Sequence, residues 1–517
     1  MGTPVGKSST DTCCLSLPLK LEKWQEDRLA KRFEIARQIY NTLVHAELKR
    51  LSQVKRSRQY REIENKIRDL DRNDQADKKE LSLLYKLRDD LLKKSGFNNE
   101  DDFKADVKYF YKHFGENIGS HVAVHCIAPQ VWNAFDSVLF KKRGKKVHYK
   151  KPGDICSLRG YSVTGKSGGS EIMFRGTYIE WKGLKMPLKL SPDNIYESEM
   201  LDHRVKYVRI VRKPGKRKDR WYAQLSLECK PVIKCDPVSG EMRHPVGKGP
   251  VGLDIGPQTL AYCALSEASL VELADQVQDI EREKQRLQRR LDRSRRAANP
   301  NNYAADGTIK RGVKLTHNKS KRYCILQREL RYLQQQQAET RKRQHTELAN
   351  YLLSLGDRFY VEEMNWSSLA RRAKKTEISE KTGRYKRKKR FGKSIANKAP
   401  GSLIDILKQK CESLGIPGVE KLPTSLLKAS QYNHQTGEYT PKPLSQRWND
   451  MPDGERIQRD LYSAFLLQHY DPVSKGYDQA ALQRDYPQFV QHHHHSIQRL
   501  AAKPKTPSSM GIYRRLR

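Results

Sequence analysis

Two periodicities divide the chain. From residue 22 to about 138, apolar positions such as Ile35, Ile39, Leu43 and Leu48 recur at helical spacing among Lys, Arg and Glu. This predicts helices, broken near residues 96–99 and again near 115–119, where glycines fall. From about 139 to 245 the texture becomes short alternating segments between Gly, Pro, Ser and Asp: GTYIEWKG, MPLKLS and YVRIVRKPGKRKDRWYAQLSLECK. The last predicts a hairpin of residues 207–211 and 221–227 around a basic turn, and the whole region a small β-barrel or sandwich. A short apolar piece, residues 15–21, precedes the helices.

Beyond residue 246 three apolar segments each contain a carboxylate that their pattern should exclude: Asp254 in VGLDIG, Glu362 in FYVEEMNW and Asp460 in IQRDLYSAFLL. Val251, Leu253 and Ile255 read as a buried strand, with Gly252 and Gly256 allowing backbone or ligand to approach closely; a second strand, 259–265, follows the turn at Pro257 and Gln258. Glu362 ends another such strand. Glu363 beside it faces the opposite way because strand side chains alternate. Ile457, Leu461, Ala464, Phe465 and Leu467 recur at helical spacing, and at roughly 100° per residue Asp460 falls within their arc. Residues 270–296 carry Leu273, Val277, Ile280, Leu287 and Leu291 in a seven-residue rhythm, with Lys284 in one slot. With a second helix at about 319–355 they predict a helical hairpin inserted over about 268–355, partner dimerisation being the alternative.

Burying an ionised carboxylate costs several kcal/mol unless it is paired or binds a cation. Three of them, in the order strand, strand, helix, predict an acidic metal site of Asp254, Glu362 and Asp460. Oxygen ligands suit Mg²⁺ or Mn²⁺, and the chemistry such a site performs is two-metal phosphodiester hydrolysis.

The substrate class follows from charge. With 100 Lys and Arg against 60 Asp and Glu, the formal charge is +40, which marks a polyanion binder with nucleic acid as the default partner. Basic and aromatic residues interleave at Tyr149, Lys150, Lys151, Trp181, Arg212, Lys213 and Tyr222, a composition suited to gripping nucleic-acid backbone and stacking bases. Between residues 371 and 393 twelve basic residues stand against two acidic ones; Lys386, Arg387, Lys388, Lys389 and Arg390 form its densest part, close after Glu362, where they could contact phosphate. No run of 18 apolar residues and no signal-peptide core occurs, so an intracellular, cytoplasmic protein with no membrane partner is expected. Nine scattered cysteines form no CxxC pair, which predicts neither a disulfide framework nor a zinc site. The run His492–His495 reads as solvated.

The ordered segments GLDIG, FYVEEMNWSSL, KSIANKAPGSLIDILKQKCESLG, LPTSLLKAS and QRDLYSAFL resemble TnpB, the transposon-encoded RNA-guided nuclease related to compact type V CRISPR effectors. HYKKPGDICSLRGYSV, IEWKGLKMPLKL and YVRIVRKPGKRKDRWYAQLSLE look like the wedge barrel of that family. The resemblance implies a multidomain α+β protein. Residues 1–21 would give the N-terminal strand of the wedge domain, 22–138 a helical recognition lobe, 139–245 the wedge β-barrel, 246–470 a RuvC-like nuclease domain of RNase H fold, and 471–517 a C-terminal tail. Asp254, Glu362 and Asp460 match the family's metal-binding triad. A guide RNA and target double-stranded DNA with an adjacent motif are the implied partners, and a prokaryotic cell the implied setting. Two departures stand out. Residues 430–460 contain no cysteine where the family carries two zinc-binding CxxC pairs, so no zinc is expected, and Tyr462 occupies the family's usual Asn position.

RNA-guided cleavage is therefore the leading expectation. Guided DNA binding without cleavage, as a repressor or transposon factor, is the alternative, and retention of all three carboxylates argues against it. An unguided nuclease would leave the basic helical and β regions without a role.

Overall fold

The computed structural model describes residues 11–512 except 72–73, 115–116, 142–143, 145, 162–171, 232, 237, 278, 372–375, 377, 379–382, 384, 386–390, 444 and 505. The chain divides into two compact units, residues 1–232 and 233–517, both mixing helices and strands.

In the first unit, the stretches that patterning separates share one core. Strand β1 (Cys13–Pro18) buries Cys13, Leu15 and Leu17 by simple alternation. Helix α1 (Lys23–Arg56) opens with a capping box of Glu22 and Gln25. Helix α2 (Arg58–Asp69) starts at Ser57, whose hydroxyl accepts the Tyr60 N–H, and α3 (Gln75–Lys94) starts at Asp74. These breaks are made by capping side chains, which is why a stretch without glycine or proline reads as continuous. Helix α4 (Glu100–Phe114), α5 (Ser120–Val122), a π-turn at Ala123–Ile127 and α6 (Ala128–Leu139) complete the helical part. Strands β2 (Ser157–Tyr161), β3 (Ile172–Phe174), β4 (Tyr178–Trp181) and β5 (Leu184–Pro187) follow, then α7 (Ile195–Leu201), β6 (Val205–Lys213) and β7 (Arg220–Leu227). They form two antiparallel sheets, β1-β7-β6-β2 and β3-β4-β5, joined by a bridge between Leu19 and Leu188. Cys13 and Cys229 are brought side by side, their Cα atoms 6.0 Å apart. The residues are 216 apart in sequence, and only the pairing of β1 with β7 brings them together.

One buried acid in this core has a pH consequence. Glu47 on α1 is fully buried beside Arg50 and Asp106, and Arg50 also pairs with Asp106 at 2.5 Å. Burial and the neighbouring Asp106 push the Glu47 carboxyl up to about 8. Because the folded value lies above the unfolded one, the stability this group contributes is full below the unfolded carboxylate range and is lost as pH rises toward about 8. Glu47→Gln keeps the neutral shape. The variant should melt above the parent protein at pH 8–9 and converge with it near pH 5 in a pH series of thermal melts. A parent-like pH dependence would show that Glu47 does not titrate in this range.

The second unit is built on a five-stranded sheet of order β10-β9-β8-β11-β12. Strands β8 (Pro250–Ile255), β9 (Thr259–Cys263) and β10 (Ala268–Glu272) form an antiparallel meander. After α8 (Glu281–Ala298) and α9 (Lys321–Leu355), strand β11 (Arg358–Glu362) returns parallel to β8. Helices α10 (Trp366–Ala370), α11 (Gly392–Lys398) and α12 (Pro400–Leu414) lead to β12 (Gly418–Leu422), parallel to β11. Helix α13 (Thr424–Leu427), the hairpin of β13 (Trp448–Asp450) and β14 (Arg456–Gln458), α14 (Arg459–Gln468), the hairpin of β15 (Tyr470–Asp471) and β16 (Gly476–Tyr477) and α15 (Gln479–Ala501) complete the unit.

Two expectations are corrected here. The helical insertion does not begin near 268, because residues 268–272 extend the sheet as β10 and α8 starts only at Glu281. Strand β9 would otherwise present an open edge, and Ala268 and Leu270 fill it while entering the core. The described residues beyond 471 are no separate tail either. Helix α15 packs on β10, and Leu482, Tyr486, Phe489 and Leu500 join the core beneath α14.

Candidate active site

Strand alternation places the first two carboxylates. Val251, Leu253 and Ile255 of β8 and Phe359 and Val361 of β11 point into one core, which α9 and α12 cover. Gly252, Asp254, Tyr360 and Glu362 therefore face the other way, toward α14. Leu253 stands opposite Val361 in the parallel register, so Asp254 and Glu362 come next on neighbouring strands, at their carboxyl ends.

The third carboxylate arrives by helix packing. A Cβ built on Gly252 would lie 1.9 Å from the Ala464 carbonyl oxygen and 2.4 Å from the Gln468 nitrogen, so the α14 backbone rests directly on β8. From Ala464 back to Asp460 is one helical turn, about 6 Å, and from Gly252 to Asp254 is two strand residues, about 6.6 Å. Seating Ala464 on Gly252 thus carries Asp460 over to Asp254. A cavity of about 740 Å³ opens here, and Asp254, Glu362 and Asp460 all line it. Glu363 is exposed and is not among the lining residues.

The electrostatics are those of a crowded acidic site. Burial, then the charges of Asp460 and Glu362, hold Asp254 well above the usual carboxylate range, with Arg459 opposing. Burial also pushes Glu362 up, against an N–H donated by Ala429 to its Oε1 at 3.3 Å. Arg459 donates to Asp460 Oδ1 from Nε and an Nη, both at 3.3 Å. The all-oxygen donor set and its repulsion fit a hard divalent cation. As placed, no three His, Cys, Asp or Glu side chains among the described residues converge into a ready-made cage, and Arg459 supplies the nearest positive charge.

Several cavity residues carry no periodicity or motif by which the sequence could reveal them. Lys442, Arg447 and Arg459 add three cations to the acidic wall, and Ser508 and Ser509 enter from beyond α15. Tyr462 ties the 430–458 segment to α14, since its hydroxyl accepts the His434 N–H at 3.0 Å and lies 2.7 Å from His434 Nδ1. Stacking of Tyr432 on Tyr477, with Tyr439 alongside, holds the same segment.

The expected nucleic-acid contacts are placed unevenly. Lys150 lies over the Tyr40 ring at 5.5 Å, Lys151 is exposed, and Lys213 lies over Tyr222 at 4.7 Å. Arg212 is committed internally, between Phe33 and Trp221 and donating to the Ile155 carbonyl. Trp181, expected at a stacking surface, is fully buried on the inward side of β4 and donates to the Ile118 carbonyl. Lys386, Arg387, Lys388, Lys389 and Arg390 lie outside the described residues. Phe391 and Ser394, just beyond them, line the acidic cavity. Among the described residues, no helix is long and apolar enough to cross a membrane.

No protein-family model and no curated protein sequence matches the chain. Among solved structures it is similar to a Cas12f1–sgRNA–target DNA complex determined by cryo-EM, at 13% identity over 90% of this chain and 99% of that one, with a TM-score of 0.37. It is also similar to a CRISPR-Cas12f ternary complex, at 13% identity over 87% of this chain and 82% of that one, with a TM-score of 0.25. The structural neighbours are thus Cas12f complexes.

Proposed function

We propose that this chain is an RNA-guided DNA endonuclease that hydrolyses phosphodiesters in a RuvC-like site. The observation that carries the nuclease reading is the shared cavity: three carboxylates from β8, β11 and α14 line it, and Asp254 is held above its ordinary range by burial and by the charges of the other two. Asp254, Glu362 and Asp460 would hold Mg²⁺ or Mn²⁺, which when bound activates the attacking water and stabilises the leaving oxygen. Lys442, Arg447 and Arg459 offer the substrate's phosphates cationic contacts on the same wall. The sequence between residues 371 and 393 is strongly basic, and Phe391 within it lines the cavity. The motif order resembling TnpB and the +40 charge support guidance by RNA, since a folded RNA and a heteroduplex neutralise far more charge than a short duplex contact. On this reading the first unit supplies the recognition lobe and the wedge barrel.

The test is to sequence the RNA that co-purifies with the protein and assay cleavage of DNA complementary to its variable end. Site-specific cutting that requires both that RNA and Mg²⁺ or Mn²⁺ is expected. Protein stripped of RNA should bind DNA weakly and without sequence preference. Site-specific cutting by RNA-free protein would replace this reading with an unguided nuclease, and guided binding without cutting would replace it with a repressor or transposon factor.

A further inference from the structure

The histidine run behaves as four separate residues on a helix. On α15 the buried face passes through Phe489, His493, Ser496 and Leu500, so His493 is 1% exposed while His494 and His495 face outward. His493 Nε2 lies 3.0 Å from the Gln458 backbone nitrogen and accepts its N–H, which places the ring proton on Nδ1. Nδ1 is buried without a partner, so among the described residues this bond is the ring's only one. Burial pushes His493 down to about 4, which keeps the ring neutral and able to accept at ordinary pH.

Gln458 is the N-cap of α14 and is itself fully buried. Its Oε1 accepts the Leu461 N–H at 2.8 Å. Its Nε2 donates to Asp460 Oδ2 and to the Met510 carbonyl, each at 3.3 Å. Trp448, paired with Gln458 across the β13–β14 hairpin, donates to the Gly511 carbonyl at 3.0 Å. The chain after α14 therefore folds back and grips the residue two positions before Asp460.

We infer that His493 and Gln458 are positioning residues: the C-terminal helix fixes the N-terminus of α14 through the His493–Gln458 bond, and Gln458 then holds the Asp460 carboxylate for metal. This rests on the proposed nuclease reading only for its effect on cleavage. A second-sphere group that orients a ligand is worth about 10–100-fold in metal affinity or activity.

The test compares His493→Leu, which keeps apolar bulk and loses the acceptor, with His493→Gln, whose amide oxygen restores one. Three quantities are measured on the RNA-bound full-length protein: Mn²⁺ affinity by electron paramagnetic resonance without DNA, amide-exchange protection at residues 458–463, and cleavage against guided DNA binding. The Leu variant should lose protection at Leu461, bind Mn²⁺ about 10–100-fold more weakly and cleave correspondingly more slowly at low metal, with DNA binding intact. Higher metal should recover its cleavage, and the Gln variant should recover most of both. Should the Leu variant fail to fold, Gln458→Met, which keeps length and loses all three side-chain bonds, carries the same expectation. Parent-like Mn²⁺ affinity in the folded variant, or DNA binding lost in proportion to cleavage, overturns the inference. If the parent protein cuts no DNA under any condition, the nuclease reading fails while exchange and Mn²⁺ binding still decide this one.

Discussion

Asp254→Asn should stop cleavage and at the same time raise the melting temperature of the metal-free protein. The loss follows from removing a proposed metal ligand from the acidic cavity. Outer-sphere changes cost about 10–100-fold, so loss of the ligand itself should exceed about 100-fold. The gain follows from the same geometry. Asp254 is held well above the usual carboxylate range by burial and by Asp460 and Glu362. A folded value raised above the unfolded one means stability that is full at acid pH and lost as pH rises through the folded value, so near neutrality the native acid is a liability. The uncharged isostere removes it. Each kcal/mol relieved is worth about 2–4 °C in a domain of about 150–250 residues. Thermal melts in chelator should therefore place the Asn variant above the parent, and added Mg²⁺ should narrow the gap by stabilising only the parent. Retained Mg²⁺-dependent cutting would remove Asp254 from the site, and an unchanged or lowered melting temperature in chelator would refute the repulsion account.

Gly252→Ala should be among the most damaging single-methyl changes in the second unit. The added carbon meets backbone, the Ala464 carbonyl at 1.9 Å and the Gln468 nitrogen at 2.4 Å, and backbone cannot rotate away as a side chain does. Overpacking of this kind costs about 1–3 kcal/mol or more, and relief requires α14 to retreat from β8, taking Asp460 away from Asp254. A lowered melting temperature with cleavage lost beyond what the unfolded fraction explains is expected. Gly476→Ala, outside the cavity, is the control, because its nearest contact is the Ser474 side-chain oxygen at 3.7 Å. Equal tolerance of both changes would mean that the helix does not seat on the strand as described.

These two residues also mark how far the sequence reached. Asp254 is conspicuous because an acid stands inside the apolar segment VGLDIG, and Glu362 and Asp460 stand inside apolar segments in the same way. Such anomalies are local, so they are readable without a fold. Gly252 is visible as a glycine inviting close approach, but that its partner is the backbone of α14, far along the chain, is not.

The same division runs through the rest of the chain. Periodicity alone located the strands around Asp254 and Glu362 and the helical character of residues 22–138, because alternation and the 3.6-residue repeat arise from neighbouring residues. It misplaced residues 268–272, where heptad-like spacing in Leu273, Val277 and Ile280 lost to the open edge of β9, a constraint that exists only once the sheet is assembled. It judged Trp181 and Arg212 by composition, as surface groups, whereas strand direction and neighbouring rings decide which way each points. The histidine run shows the limit most plainly. A polar run has no apolar pattern to read, and only the helix that carries it, docked against α14, selects His493 from its three neighbours and buries it. By itself the sequence determined which groups are available for chemistry, three carboxylates set in apolar segments of a strongly basic chain, because charge and residue type need no neighbours to be read. The tertiary structure alone decided which groups surround that chemistry, Arg459, Lys442, Gln458 and His493 among them, because contacts between residues distant in sequence are set by packing, which leaves no periodic trace.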